Sequence, residues 1–413
     1  MKRVLLVNTC LIGDSTGTGN TLAAIFSKMK REKIAQICTD FYRKDDGDET
    51  CYIVKKSFSR VRYLLAHRRK STKTSGQLQV LRQNISGAST SGLHGIIYEM
   101  FRGIADSMPV HVDKDMDAFI KKMQPEVIYT CGCSITVLKT ARKIAKKYGI
   151  PIVLHMMDNW DETMYRSTLL SWPFSWILNR ELKLVNRLSD GNLAISEALC
   201  EKMEREHSVP YYALMNTIDT IAEKSCCYER EKLIFIYAGS LSINRYVSLS
   251  HVARALQEAL GTDGYVFHMF VPPAQNTAEM HAHFEGCCVK FSNYVPREQL
   301  LREYMKADVL VLAESLDDNF CQFTKYSLST KIPEYMSMGK PILAYLRHDL
   351  YSYSYLSKSQ AAKVAADEWE LVQHIMELKD FQERQKLAEN GLKFVQTHHS
   401  RMHCEEILRK VFE

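Results

Sequence analysis

The chain has 413 residues, 46% of them apolar, which is longer than one hydrophobic core usually supports and points to two globular domains. Its formal net charge of +6 is modest, and no nucleic-acid partner is expected. No stretch approaches the ~18 uninterrupted apolar residues of a spanning helix. Twelve cysteines without an export signal fit a reducing compartment, so the expected location is the cytoplasm, at or near the inner face of a membrane.

Short apolar runs alternate with longer amphipathic ones, the pattern of helices packed on a mainly parallel sheet. Met1–Asn8 reads as a first buried strand. Val7–Asn20 then places small and polar residues before a helix whose Leu22, Ala23, Phe26 and Met29 share one face. There Gly17, Thr18, Gly19 and Asn20 form a loop whose backbone can approach an acceptor or phosphates. Ser15–Thr21 also looks like the phosphate loop of flavodoxins, but Cys10–Asp14 intervene after the strand, and no later loop resembles an FMN-binding partner.

Between Cys51 and Ala105 the only acidic residue is Glu99, against a run of cations concentrated in 55–73. That segment can face a membrane surface, or be a solvated basic loop and helix. Further strands are expected at Ile34–Cys38, Val127–Thr130, Ile152–His155, Asn192–Ile195 and Tyr211–Leu214. At the end of Ile152–His155 and just beyond it, His155 and Asp158 are candidates to orient or deprotonate an acceptor hydroxyl. The alternative is a core histidine with a loop carboxylate. The aromatic stretches Gly95–Met108 and Leu169–Leu178 can rest at a membrane interface or fill a space between helices.

The polar stretch Asn216–Glu231 interrupts the alternation, and a second strand series starts at Leu233–Ala238. The domains are therefore placed at 1–218 and 219–395, with a C-terminal helix, 396–413, that can pack back on the first. Gly239 and Arg245 follow the strand where a diphosphate can meet backbone N–H groups and a guanidinium. Further on, Thr330 can cap a helix, Lys331 can add charge, and Glu334 can accept hydrogen bonds from two ribose hydroxyls. Each of these residues taken singly is also an ordinary turn or first-turn residue.

In order, Gly239…Arg245, Phe291–Pro296, Ala307–Ala313 and Ser329–Tyr345 (STKIPEYMSMGKPILAY) occupy successive βα units, and together they resemble the donor half of GT-B glycosyltransferases of the retaining family 4 type, common in bacterial polysaccharide biosynthesis. The resemblance implies two Rossmann-like, doubly wound domains facing an inter-domain cleft. It also implies Glu334 on the ribose, Arg245 on the pyrophosphate, Tyr294 and Val295 at the nucleobase, and Thr330 and Lys331 near the phosphates. One departure is that Tyr326 stands eight residues before Glu334, where many members carry a first glutamate.

The expected reaction moves a sugar from a nucleotide diphosphate-sugar donor to a hydroxyl of a glycan or lipid-linked acceptor, with no cofactor and no metal. Asp317–Asp318 is an acidic pair in a polar loop, without the setting of a metal-binding signature. A GT-B-like protein that binds nucleotide-sugar or glycan without turnover is the alternative, followed by a flavodoxin-like flavin protein.

Overall fold

The computed structural model describes residues 2–14, 16–39, 48–54, 93–166, 168–225 and 227–413, with backbone alone for 93–98. The basic segment 55–73 lies outside the described residues.

Apart from two short 3-10 turns, the described elements of the first half are β1 (Val4–Asn8), α1 (Gly17–Phe26), β2 (Ile34–Cys38), β3 (Cys51–Ile53), α2 (Leu93–Ser107), α3 (Lys114–Met123), β4 (Val127–Cys131), α4 (Ile135–Tyr148), β5 (Ile152–Met156), α5 (Trp160–Thr163), α6 (Trp172–Asn186), β6 (Asn192–Ala194), α7 (Glu197–His207) and β7 (Tyr211–Ala213). The second half continues with β8 (Leu233–Ala238), α8 (Arg245–Leu260), β9 (Tyr265–Val271), α9 (Ala278–Ala282), β10 (Val289–Asn293), α10 (Arg297–Lys306), β11 (Val309–Ala313), α11 (Asp318–Thr324), α12 (Lys331–Ser337), β12 (Ile342–Tyr345), α13 (Tyr351–Ser359), β13 (Ala362–Ala365), α14 (Glu368–Glu377), α15 (Phe381–His398) and α16 (Arg401–Phe412).

The first compact unit contains the described residues through Asn216 together with Cys404–Glu413. Its sheet is parallel, in the order β3-β2-β1-β4-β5-β6-β7. Strands β1, β4 and β5 are buried along their whole length, as strands covered by helices on both faces must be. Ser134 and Ser196 start α4 and α7 by accepting the N–H groups of Val137 and Leu199. The ring of Phe26 meets Tyr129 edge-on at 5.1 Å and stacks on Phe412 of α16 at 6.4 Å, so the end of the chain completes this core. β3 was not expected: it has three residues, two of them half-buried, and lies between polar stretches.

The second unit, among the described residues, is Thr217–His403. Its sheet is also parallel, in the order β10-β9-β8-β11-β12-β13. Phe235, Phe267, Leu256 and Leu343 are central to its core. Numbered from its own first strand, this sheet runs 3-2-1-4-5-6, the Rossmann order, and the first extends the same order by one strand. Flavodoxin-like sheets run 2-1-3-4-5. The strand order reverses between β1 and β4 in one unit and between β8 and β11 in the other, and ligands of open α/β sheets bind beyond the carboxyl ends of strands at such points.

Candidate functional site

In the second domain the two strands at the reversal deliver Gly239 and Glu314, the residues that directly follow β8 and β11. A Cβ on Gly239 would stand 2.3 Å from the Lys331 Nζ and 2.7 Å from the Tyr237 hydroxyl, so only glycine leaves room for the ammonium there. The same Nζ lies 4.7 Å from the centre of the Tyr237 ring. Tyr237 is itself fixed, its hydroxyl donating to the Ser240 carbonyl at 2.8 Å. Arg245, at the start of α8, donates from Nε to the Glu314 Oε2 at 2.8 Å, and its Nη2 lies 2.7 Å from the same oxygen.

The turn leading to Arg245 is constrained. Ile243 (φ +54°) and Asn244 (φ +60°) both adopt left-handed backbone, which costs a β-branched residue about 1–3 kcal/mol. Gln275 braces the turn, accepting from the Leu241 N–H at 2.7 Å and donating to the Ser242 hydroxyl at 2.7 Å. Asn244 donates to Asp317 at 3.0 Å. Such strain persists only where the surroundings over-determine it.

These charges interact strongly. Burial, and then the neighbouring Arg245 cation, pull the Lys331 ammonium down to about 8, with Glu314 and Glu334 opposing. Burial works against the charge on Arg245 as well, but the Glu314 carboxylate, with Tyr237 and Tyr294, outweighs it and holds the guanidinium above its ordinary value. Burial raises the Glu334 carboxyl against the opposing Arg297 and Lys331 cations. Glu334, in the first turn of α12, pairs with the Arg297 guanidinium at 2.8 Å. Two cations beside a glycine, with a carboxylate one helical turn on, can take a diphosphate and a vicinal diol.

One expected role changes in this domain. Thr330 is exposed and makes no side-chain cap, its backbone being already helical (φ −58°, ψ −19°) where a capping residue is extended. Lys340, within the GKP part of the motif, is buried and donates to the Met305 and Ala307 carbonyls at 2.8 and 2.7 Å, which closes the end of α10. Tyr294 is 46% exposed just after β10, its N–H donating to the Val271 carbonyl, and Val295 beside it is half-buried. Glu314 and Arg297 were missed from sequence. The position of Glu314 directly after a buried strand was the available signal.

In the first domain Gly17, Thr18, Gly19 and Asn20 form the first turn of α1 rather than a loop, with the Thr16 hydroxyl accepting the Gly19 N–H at 2.9 Å. A Cβ on Gly19 would fall 2.4 Å from the Asp14 carbonyl, so the preceding turn folds directly onto the helix. His155 is a core residue: it has no exposed surface, it lies 2.6 Å from the Tyr129 hydroxyl through Nδ1, and burial lowers it to about 3. A ring with no surface cannot meet an acceptor, so the catalytic expectation at His155 is corrected. Asp158, just beyond β5, is half-buried and accepts the Asn159 N–H at 3.0 Å.

Among the described residues Asp161, Glu162 and Glu206 could converge on a metal ion. The buried Lys202 ammonium already lies there, 2.5 Å from Asp161 and 3.1 Å from Glu162. Of the Asp317–Asp318 pair, Asp317 caps α11 and Asp318 pairs with Arg347.

By sequence the chain matches no protein-family model and no curated protein. Its structure is similar to Anabaena Alr3699/HepE in complex with UDP, at 13% identity, 99% coverage of each chain and a TM-score of 0.61. It is similar to the UDP-forming α,α-trehalose-phosphate synthase of Burkholderia vietnamiensis, at 9% identity, 99% coverage of each chain and a TM-score of 0.59. It is also similar to the N-terminal domain of Candida albicans trehalose-6-phosphate phosphatase, at 10% identity, covering 100% of this chain and 96% of that one with a TM-score of 0.65. With its two parallel sheets in Rossmann order, the chain has the GT-B fold of two Rossmann-like, doubly wound domains.

Proposed function

We propose that this protein is a glycosyltransferase that moves a sugar from a nucleotide diphosphate-sugar to a hydroxyl of a glycan or lipid-linked acceptor. The observation that carries the reading is the Lys331 ammonium held over Gly239 beside the Arg245–Glu314 pair, beyond the carboxyl ends of β8 and β11. In this reading Lys331 and Arg245 receive the diphosphate and stabilise it as it leaves, without a metal. Glu334 exchanges Arg297 for the ribose hydroxyls, and Tyr294 and Val295 border the base. Asp158, in the first domain, orients the acceptor hydroxyl.

Retention of configuration, the family 4 type and a role in surface polysaccharide assembly at the cytoplasmic face of a membrane rest on the resemblance of Ser329–Tyr345. Two of the similar structures are named with UDP, which makes UDP-sugars the first donors to test. No described helix is long and apolar enough to cross a membrane. Tyr326 in place of a first glutamate supports the second reading, a nucleotide-sugar binder without turnover.

A thermal-shift screen of UDP- and GDP-sugars on wild type and Glu334→Ala, followed by assay of released nucleotide, tests the proposal. A shift in wild type that the variant lacks is expected. If no nucleotide shifts the wild type, or the variant responds identically, the donor site is wrong; binding without release in the presence of glycan acceptors selects the second reading.

A further inference from the structure

The first domain carries an exposed apolar surface that the sugar-transfer reading does not use. Of the twelve large apolar side chains most exposed among the described residues, six fall in two short segments: Phe101 and Ile104 on α2, and Leu169, Leu170, Trp172 and Trp176 at the entry to α6. Leu169 and Trp176 are 75% and 65% exposed. The two helices touch where a Cβ on Gly103 would stand 2.2 Å from the Phe174 ring, on the side of α6 away from Trp172 and Trp176. Leu169, Leu170, Trp172 and Trp176, gathered at the entry to α6, are a patch rather than scatter, and patches of that kind mark surfaces of interaction.

The same helix says what kind of surface fits. At 100° per residue, positions 172, 176, 180, 183 and 187 fall within an arc of about 80°. They are Trp172, Trp176, Arg180, Lys183 and Arg187, and all are exposed. The Arg180 guanidinium lies over the Trp176 ring at 5.8 Å. From Leu169 to Arg187 the one acidic residue is Glu181, which faces inward, buried and paired with Arg142 at 2.7 Å. The opposite face of α6 is packed into the domain through Leu178, Leu182 and Val185.

Tryptophan and leucine at one end of a stripe and three cations along the rest match a bilayer interface, where indole rings sit among headgroups and cations meet lipid phosphates. We propose that this face of α6, with Leu169 and Leu170 at its entry, docks the protein on an anionic lipid surface. The segment 55–73 is not needed for it. The inference stands apart from the donor site, because vesicle binding is read without nucleotide.

The test is flotation of the full chain with vesicles of phosphatidylcholine alone and of phosphatidylcholine mixed with phosphatidylglycerol. Wild type is expected to float with the mixed vesicles, less so as salt rises, and with a blue shift in fluorescence, since Trp172 and Trp176 are two of four tryptophans. Trp172→Ser/Trp176→Ser and, separately, Arg180→Gln/Lys183→Gln/Arg187→Gln are each expected to weaken partitioning at least about tenfold. Should the tryptophan pair fail to fold, the cation triple, which alters only exposed groups, decides alone. The proposal is overturned if wild type does not float, if the triple variant floats as well as wild type, or if wild type forms a dimer that the triple variant disperses.

Discussion

Arg297 and Glu334 sit on different helices, α10 and α12, and meet at 2.8 Å, with the arginine side chain 73% exposed and the glutamate 17%. The pair occupies the carboxylate that the ribose would need. An ion pair this open to solvent is worth at most about 1 kcal/mol, so a diol can displace it. Arg297→Ala is therefore expected to leave thermal stability nearly unchanged and to tighten UDP binding by up to about fivefold in a calorimetric titration. A tenfold weakening instead would put Arg297 on the ligand.

The Lys331 ammonium gives the proposed donor site a pH dependence. In the folded chain it loses its proton near pH 8, and in the unfolded chain near 10.5. Between those values the unfolded chain binds more protons, so the contribution of this group to stability rises from about pH 8 to 10.5, while the attraction for a diphosphate falls. UDP affinity is expected to decline above about pH 8, with proton uptake on binding there. Titrations in two buffers of different ionisation enthalpy measure that uptake, and none at pH 8 would remove Lys331 from the phosphates.

Gly239→Ala probes the same contact sterically. The added methyl displaces the end of a flexible lysine but also meets the Tyr237 hydroxyl, which is tied to Ser240. Loss of a charge-assisted hydrogen bond corresponds to about 1.5–3 kcal/mol, so UDP affinity should fall at least about tenfold, with the fold retained by circular dichroism. Unchanged affinity would mean that the ammonium does not touch the ligand.

Lys340, nine residues from Lys331, should behave in the opposite way. Its ammonium is buried on two carbonyls, and Lys340→Ala leaves both without it. A loss of about 2–4 kcal/mol in urea unfolding is expected, with nucleotide affinity per folded molecule unchanged.

Local patterns made much of the fold readable. Val309–Ala313 and Leu233–Ala238 are apolar runs bounded by polar residues, and they are strands over those residues. β3 was not readable, because three residues, two of them half-buried, make no period. The chemistry within Ser329–Tyr345 was legible as a motif, Lys331 included, but not that Arg297 from another helix would meet Glu334. The Arg245–Glu314 pair spans 69 residues, and only the folded sheet brings its members together. His155 read equally as base or core residue, and its burial beside Tyr129 decided for the core.

The stacking of Phe412 on Phe26 bears on how the protein is made. Residues 404–412 supply Cys404, Ile407, Leu408 and Phe412 to a core whose strands begin at Val4. On the ribosome that core stays open while nearly four hundred residues are added, whereas the second domain has all its own residues by His403. The domain translated first thus completes its core only with the last residues of the chain, after every strand of both sheets has been made.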